Sequence, residues 1–155
     1  MSLIQHTESL PAPAPLLFDL TQDYARRAEW DPFPESYEFH GGATHPQIGV
    51  HLTVRARNGF CMRVQYVSFD RPHAAAIKMV KGPWFIRRFA GTWHFSPEPD
   101  EWTRVTFKYN VVAGPGIVGR FLQPLIDWSF SRHTTQRLRA LKCYVERYAS
   151  NGNRA

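Results

Sequence analysis

The side chains best suited to metal or nucleophilic chemistry are seven histidines and two cysteines. The histidines are His6, His40, His45, His51, His73, His94 and His133. They form no HExxH motif and no other tight metal spacing, and Cys61 and Cys143 lie too far apart in the sequence to suggest a metal-binding cluster. The chain also lacks a glycine-rich phosphate loop and a GxSxG elbow. We therefore expect no metal, no cofactor and two unreactive thiols.

Four side chains are candidates for general acid or base chemistry, namely Asp127, Tyr66, Tyr109 and His133. None of them has a partner at a diagnostic spacing, which a catalytic assignment from sequence would require. The sequence therefore leaves it open whether the chain is an enzyme.

Aromatic side chains concentrate on one face of the last two predicted strands, 84–96 and 102–113. Alternation places on that face Phe85, Phe89, Trp93, Phe95, Phe107 and Tyr109. Together with Tyr66, Trp30 and Trp128, these side chains would line a cavity for a flat apolar ligand. The other interpretation is that they fill a solid core, and both interpretations stay open.

Arg87 shares the alternation phase of Phe85 and Phe89. An inward guanidinium at this position would be costly unless it were paired, and it would suit an acidic group of a ligand. The alternative is a solvated position at the end of the strand.

A helix of roughly 30 residues is predicted after the Gly114-Pro115-Gly116 break. Its apolar stripe steps by three or four residues through Ile117, Phe121, Leu125, Trp128, Ser131, Thr135, Leu138, Leu141, Val145 and Tyr148. Small hydroxyls at Ser131 and Thr135 would suit the wall of a pocket, or they bond to the carbonyls four residues earlier in an ordinary core. Pro124 predicts a kink, or a short helix followed by a longer one.

The elements that must position these residues follow two periodicities. A first strand is predicted over 2–10, and two short helices are predicted over 15–21 and 23–30. Period two then predicts strands over 36–40, 50–57, 61–69, 74–80, 84–96 and 102–113, with a hairpin turn at Asn58-Gly59 and a bulge near 66/67. Consecutive strands are expected to pair as antiparallel neighbours, with the long helix laid across the sheet in an α+β fold.

The 155 residues suffice for one domain, predicted over 1–149 with a frayed tail over 150–155. No apolar run approaches the roughly 20 residues of a membrane span, and the N-terminus does not resemble a signal peptide. A cytoplasmic location is therefore the expectation. The net charge is +6, and residues 117–155 carry seven basic and two acidic side chains. This segment predicts a solvated basic face, or a weak contact with RNA or an anionic surface.

The order of elements resembles the helix-grip fold of the START-like or SRPBCC superfamily, which includes polyketide cyclase/dehydrase and coenzyme-Q-binding proteins. The resemblance rests on residues 12–32 (APAPLLFDLTQDYARRAEWDP), Asn58-Gly59, the FAGTWHF strand at 89–95 and residues 114–146. It implies a curved antiparallel sheet of about seven strands wrapped around the long C-terminal helix. It also implies a hydrophobic cavity between sheet and helix that holds lipids, quinones or polyketides.

The resulting hypothesis is that the chain binds a small hydrophobic or aromatic ligand between sheet and helix, mainly by burial of apolar surface. The predicted ligand-binding residues are Trp30, Tyr66, Arg87, Phe89, Trp93, Phe107, Tyr109, Trp128, Ser131 and Thr135. A polyketide cyclase or dehydratase-type enzyme is one alternative. The second alternative is an interaction protein at ribosomes or membranes that uses the basic C-terminal helix.

Overall fold

The structure, a computed structural model, describes residues 2–152 and contains seven strands, three α-helices and one short 3-10 helix (Pro99–Glu101) in that range. The strands are β1 (Ser2–Leu10), β2 (Pro34–Phe39), β3 (His51–Ala56), β4 (Cys61–Asp70), β5 (Ala74–Lys81), β6 (Ile86–Pro97) and β7 (Thr103–Ala113). The helices are α1 (Ala14–Gln22), α2 (Tyr24–Trp30) and α3 (Gly116–Gly152). The order of elements matches the prediction, although α3 continues through Pro124 as one helix. It also extends into the predicted tail, of which residues 153–155 lie outside the described range.

All seven strands form one curved antiparallel sheet in the order β1-β7-β6-β5-β4-β3-β2. Strands β2 to β7 follow one another as the predicted meander. Strand β1 instead pairs with β7, from Ser2 opposite Val111 to Leu10 opposite Thr103. Helix α3 packs against β1 and β7. The predicted α+β helix-grip architecture, with two short helices after the first strand, is confirmed.

Polar pairs fasten α3 to β1 at both ends of the strand. The Ser2 hydroxyl donates to the Asp127 carboxylate at 2.7 Å. The Lys142 ammonium forms an ion pair with Glu8, with Nζ and Oε1 2.6 Å apart. These contacts fix the position of α3 along the sheet. Arg137, which contributes to the candidate site described below, lies between Asp127 and Lys142 in the sequence.

The first half of α3 turns a different face to the sheet than the predicted stripe. The exposed members of that stripe are Ile117, Phe121, Leu125, Trp128 and Tyr148. Gly119 is buried instead, and a Cβ added there would overlap the carbonyl oxygen of Gly114. This close approach sets the rotation of the helix, and the buried row continues through Ile126 and Phe130. The stripe is therefore wrong over the first half of α3, but it is correct at three later positions, Leu138, Leu141 and Val145.

Arg87 is exposed because β6 carries a bulge. The register between β6 and β7 shifts between Ile86 and Arg88, so one extra residue is accommodated there. Ile86 and Phe89 are buried on either side of the two exposed arginines. Of the two alternatives considered for Arg87, the structure shows the solvated position and not the inward one.

Beyond this bulge the predicted alternation is correct, and aromatic residues of β6 and β7 form the centre of the core. Trp93, Phe95, Phe107 and Tyr109 are all buried. The rings of Trp93 and Phe107 stack with centroids 3.9 Å apart and planes 9° from parallel. Such pairs contribute about 0.5–1.5 kcal/mol beyond the burial of their area. This layer forms a rigid floor next to the candidate site.

Candidate functional site

A cavity of about 50 Å³, which we call the inner cavity, lies between the sheet and α3. Its wall is largely apolar and aromatic, but five polar side chains also reach it. These are Tyr24 and Arg27 from α2, Tyr37 from β2, Tyr109 from β7 and Arg137 from α3. Elements distant in the sequence thus meet at one small space, which the helix-grip arrangement creates.

Two arginines and one aspartate form a buried cluster beside the inner cavity. Asp31 directly follows α2, four residues after Arg27, whose Nε donates to its Oδ2 at 2.9 Å. From α3, Arg137 donates to the same oxygen through Nη2 at 2.7 Å and through Nε at 3.1 Å. None of the three residues is more than 7% exposed. Pro32 ends α2 here, because a residue before proline avoids the helical region.

This cluster holds more positive than negative charge. Burial raises the pKa of Asp31, and the Arg27 guanidinium opposes that shift. With Asp31 ionised the net charge of the three groups is +1, and it is larger with Asp31 protonated, because arginine stays charged. Aromatic faces stabilise the cations without neutralising them, and Cζ of Arg137 lies 4.8 Å from the centroid of the Phe107 ring.

A chain of hydrogen bonds between phenols closes one side of the inner cavity. The Tyr66 hydroxyl donates to Gln22 Oε1 at 2.9 Å. It therefore accepts from Tyr24, whose hydroxyl oxygen is 2.5 Å away. Burial raises the pKa of both phenols, so both keep their protons near neutral pH. The donor and the acceptor of Tyr66 are thus both used within the protein.

Two other phenols keep donors that the protein does not use. The Tyr109 oxygen accepts a hydrogen bond from Arg137, and its own O–H donates to no group among the described residues. The Tyr37 hydroxyl is buried without any hydrogen-bond partner in residues 2–152. Burial raises the pKa of both phenols. A buried unsatisfied group costs about 1–3 kcal/mol, so an acceptor placed in the inner cavity would be stabilised.

A larger groove of about 480 Å³, which we call the outer groove, lies next to the inner cavity. Phe33, Phe60 and Phe130 line both spaces and form an aromatic partition between them. His133 also lines the outer groove, and its ring centroid lies 5.0 Å from that of Phe33. Burial and the neighbouring Arg132 lower the pKa of His133, which favours the neutral imidazole.

The ten predicted ligand-binding residues divide into four groups. Phe89 and Tyr109 line the inner cavity. Four others are buried in the core: Trp30, Tyr66, Trp93 and Phe107. Arg87 and Trp128 are exposed and line neither space. The cation near the cavity is therefore supplied by Arg27 and Arg137 and not by Arg87.

Ser131 and Thr135 form the fourth group, and both make hydrogen bonds within the protein. The Ser131 hydroxyl oxygen lies 3.0 Å from Nε2 of His6 in β1. The Thr135 hydroxyl donates to the Ser131 carbonyl at 3.1 Å, which is the back-bonding alternative considered for this position. Neither residue lines the inner cavity or the outer groove, which corrects the expectation of a pocket wall.

Strand alternation does not find the polar residues that do reach the cavity. Arg27 and Arg137 lie on helices, and Tyr37 lies on a short strand with a bulge. A signal is nevertheless visible in the sequence, because Arg27 and Asp31 are four residues apart just before a proline. Arg137 directly precedes Leu138, a member of the predicted apolar stripe, so it lies at the edge of the buried face of α3. An arginine that is buried there requires an acidic or hydrogen-bonding partner.

Two further findings concern the chain from Ser2 to Gly152. No group of three or more His, Cys, Asp or Glu side chains in this range is arranged to hold a metal ion. No helix in the same range is long and apolar enough to cross a membrane.

Comparison with protein families identifies the chain. The family described as polyketide cyclase/dehydrase and lipid transport matches residues 1–146. The chain belongs to this family. Membership of the polyketide cyclase/dehydrase and lipid transport family confirms the START-like resemblance seen in the sequence. Among curated proteins, none matches the chain.

Solved structures of similar fold agree with this assignment. The Zhui aromatase/cyclase from a Streptomyces species has a TM-score of 0.81 and 16% identity, over 96% of this chain and 95% of that one. A START superfamily protein from Mycobacterium smegmatis has a TM-score of 0.75 and 13% identity, over 94% and 98% of the two chains. The di-domain ARO/CYC BexL has a TM-score of 0.76 and 18% identity, over 94% of this chain and 47% of its own. At such identities these structures show the shared fold alone.

Proposed function

We propose that this family member binds a small hydrophobic or aromatic ligand that carries one acidic group, such as a carboxylate. The observation that carries the proposal is the buried cluster of Arg27, Asp31 and Arg137 beside the inner cavity. The acidic oxygen would occupy the inner cavity, and the apolar body of the ligand would extend into the outer groove.

An anion in the inner cavity would neutralise the excess charge of the cluster. An unpaired buried cation is costly, and a hydrogen-bonded anion offsets that cost. Hydrogen bonds to a charged acceptor are roughly twice as strong as neutral ones. The unused O–H groups of Tyr37 and Tyr109 would donate such bonds. A neutral ligand of the same shape would lack the charge interaction.

The two volumes favour a ligand with a small polar end and a larger apolar body. The inner cavity of about 50 Å³ exceeds the roughly 10–15 Å³ that a cavity needs to hold one water molecule, but it is far smaller than a typical small-molecule site. It therefore suits a single carboxylate group. The outer groove of about 480 Å³ falls within the range of roughly 300–1,000 Å³ of small-molecule sites. The ligand would displace the partition of Phe33, Phe60 and Phe130.

Native mass spectrometry of the gently purified protein tests whether a ligand is retained. We expect a reproducible adduct that disappears when the protein is denatured, and extraction of that adduct should give a molecule with an acidic oxygen. An adduct that contains no acidic group would contradict the proposed role of the arginines.

Isothermal titration with 2-naphthoate and 2-naphthamide tests the charge directly, because the two probes have nearly the same shape. We expect the acid to bind at least about tenfold more tightly, a difference of about 1.4 kcal/mol. Equal affinities for the two probes would contradict the proposal that the ligand carries an acidic group. Absence of binding by both probes, together with a bare chain in native mass spectrometry, would overturn ligand binding itself.

A cyclase-type enzyme is a second candidate, favoured by the phenol donors beside the guanidinium groups. In an aldol ring closure, a base removes a C–H proton, a carbon–carbon bond forms to a ketone carbon, and the ketone oxygen takes up a proton. Tyr37 and Tyr109 would stabilise the developing oxyanion. His133 in the outer groove would accept the C–H proton, because its lowered pKa keeps the imidazole neutral.

This second candidate is tested by incubating the protein with a synthetic poly-β-ketone thioester and analysing the products. A cyclase would give a ring-closed product whose yield falls in both His133→Gln and Tyr37→Phe. The surface variant His45→Gln is the control and should behave like the parent protein. A product yield that is the same in all four proteins would contradict catalysis at this site.

A further inference from the structure

Six large apolar side chains are exposed on and beside the first half of α3. They are Trp84, Ile117, Val118, Phe121, Leu125 and Trp128, and we call them the apolar patch. Their exposure ranges from 57% for Val118 to 79% for Trp84. Soluble folds rarely present such a continuous apolar area without a partner for it. The patch therefore requires an explanation beyond packing.

The apolar patch borders the outer groove. Trp84, Val118 and Leu125 line the groove as well as belonging to the patch. Phe121 lies one turn before Leu125 on the same face of α3, because residues four apart on a helix are neighbours. A surface that covers the patch would therefore also cover the mouth of the groove.

Basic residues flank Trp84 in the sequence, and one arginine lies beside Trp128 in space. The segment 80–90, which contains Trp84, has three basic residues, Lys81, Arg87 and Arg88, and no acidic one. Arg132 continues the exposed row of α3, with its Cζ 5.6 Å from the centroid of the Trp128 ring. None of these four cations forms an ion pair with a described carboxylate.

The hairpin between β3 and β4, which reaches the same groove through Asn58 and Phe60, adds to this charge. Residues 54–60 contain two exposed arginines, Arg55 and Arg57, and no acidic residue. In the first half of α3 the sole carboxylate is that of Asp127, and it accepts hydrogen bonds from Ser2 and Gln123. The surroundings of the patch are thus positive and nearly free of opposing charge.

We propose that the apolar patch docks the protein onto a bilayer that contains anionic lipids. Tryptophan and phenylalanine side chains are typical of protein surfaces that enter the interfacial region of a membrane. Lysine and arginine beside them are attracted to anionic headgroups, each by about 1 kcal/mol, which corresponds to about fivefold in affinity. The first four turns of α3 would lie along the membrane plane with the exposed row inserted.

The other occupants of such a patch fit these residues less well. In a symmetric dimer each basic segment would face its own copy, because a twofold contact uses the same patch on both chains. An acidic protein would match the charge, but it would also need an apolar groove for the projecting side chains of Trp84 and Phe121. Both remain as outcomes that the experiment distinguishes.

Docking would give the outer groove direct access to the apolar phase of the membrane. This part of the inference rests on the proposed ligand-binding function, because a ligand would then pass between bilayer and groove without crossing water. Docking itself does not depend on a ligand, so vesicles without added ligand test it separately. Binding of 2-naphthoate in the absence of vesicles tests the ligand site independently of docking.

Cosedimentation with vesicles tests the apolar contacts. The vesicles contain phosphatidylcholine alone or with about 30% phosphatidylglycerol, and binding should be strong only with the anionic lipid. Trp84→Ser and Phe121→Ser should each weaken binding by at least about fivefold. The matched controls Trp102→Ser and Tyr148→Ser remove exposed aromatic residues outside the patch and should leave binding unchanged. Equal losses in patch and control variants would overturn the proposal.

A charge comparison tests which basic surface contacts the lipid. The double variant Arg87→Gln/Arg88→Gln should lose about tenfold or more in affinity for the anionic vesicles. Arg139→Gln/Arg147→Gln removes two exposed charges from the second half of α3 and should lose little. If Arg139→Gln/Arg147→Gln loses more affinity than Arg87→Gln/Arg88→Gln, the lipid contact lies on the C-terminal half of α3 and the assignment to the patch is overturned.

The two remaining occupants give their own signatures in the same set of variants. If light scattering shows a parent dimer that becomes a monomer in Phe121→Ser, and no vesicle binding occurs, the patch is a dimer contact and docking on lipid is wrong. Docking on lipid is also wrong if the protein does not bind vesicles and an acidic protein is captured only by chains with an intact patch. Unchanged unfolding midpoints in both patch variants show that the fold is intact. Phe121 does not line the outer groove, so unchanged 2-naphthoate affinity in Phe121→Ser shows that the ligand site is intact.

Discussion

At the scale of single residues, Tyr37 and Tyr66 place chemically identical hydroxyls in opposite situations. The Tyr66 hydroxyl is bonded to Tyr24 and to Gln22, whereas the Tyr37 hydroxyl is buried without a partner among the described residues. An unsatisfied buried hydroxyl destabilises the empty protein. A ligand that accepts its hydrogen bond recovers this free energy on binding, so Tyr37 couples ligand affinity to stability.

Replacing Tyr37 with Phe should therefore stabilise the empty protein and weaken its binding of an acidic probe. We expect the free energy of unfolding to rise by about 1 kcal/mol, because the variant removes a buried donor that has no acceptor. Affinity for 2-naphthoate should fall by about tenfold or more, because one hydrogen bond to a charged group contributes about 1.5–3 kcal/mol. Urea unfolding and isothermal titration measure the two effects.

Tyr66→Phe is the matched control, because it removes the same atom from a satisfied position. It leaves Tyr24 without its acceptor and Gln22 without its donor, so the free energy of unfolding should fall by about 1–2 kcal/mol. Opposite signs for the two variants would support the unsatisfied state of Tyr37. A loss of stability in both would show that the Tyr37 hydroxyl has a partner in solution.

His133 should make the stability of the protein dependent on pH. Burial and Arg132 lower its pKa below the ordinary value of 6.5, so the folded state disfavours the protonated ring. Its contribution to stability is present above pH 6.5 and declines as the pH falls through the pKa of the folded state. His133→Gln should reduce this decline in urea unfolding between about pH 7 and 5. A His133 pKa at or above 6.5 in an NMR titration would contradict the argument.

At the scale of elements, the rotation of α3 decides which apolar row is buried and which is exposed. Two rows run along its first half, one through Phe121 and Leu125 and one through Ile126 and Phe130. Both rows have helical spacing, and the prediction from the sequence selected the row that is exposed. The choice depends on Gly119, which lets the helix approach the Gly114 carbonyl, and this is a contact between two backbones.

Gly119→Ala should therefore be strongly destabilising although alanine is the better helix former. The added Cβ would collide with the Gly114 carbonyl oxygen, which is backbone and cannot turn aside. We expect a loss of about 1–3 kcal/mol in the free energy of unfolding, as for overpacked sites. Gly152→Ala in the same helix has open space around it and should be neutral or slightly stabilising. Equal effects at the two positions, measured by thermal unfolding, would contradict this role of Gly119.

The strands could be predicted more fully than the site because their signals are local. Alternation alone identifies the buried face of β7, since Val105, Phe107, Tyr109 and Val111 all obey it. It fails at Arg87, because a bulge changes the phase without changing the composition. The site depends on contacts between elements that are distant in sequence, such as the 106 positions that separate the bonded side chains of Asp31 and Arg137. No periodicity reports a pair of that kind.

At the scale of the whole molecule, the aromatic partition lies between the outer groove and the inner cavity, so a ligand that reaches both must pass it. Phe60 is the member of the partition on the hairpin between β3 and β4, and it is only half-buried. Its ring lies 6.2 Å from that of Phe130 across the partition. Motion of this one side chain would open a path without disturbing α3.

Phe60→Ala should speed the binding of 2-naphthoate, because it removes one wall of the partition. We expect the association rate in stopped-flow fluorescence to rise by about tenfold, while the acid retains its advantage over the amide. Phe69→Ala is the matched control, since Phe69 is also a half-buried phenylalanine but lines neither space. If both variants change the rate equally, general loosening and not the partition sets the rate.

The pairing of β1 with β7 has a consequence for synthesis of the chain. Leu10 pairs with Thr103, and Ser2 pairs with Val111. Because β7 is synthesised about 100 residues after β1, the first strand has no partner during most of that interval. At roughly 5–20 residues per second, the delay lasts about 5–20 s. The nascent chain therefore exposes an unpaired strand edge until β7 leaves the ribosome, and the arginine cluster is assembled only after α3 follows. A ligand can consequently stabilise only the finished chain and cannot guide the earlier stages of folding.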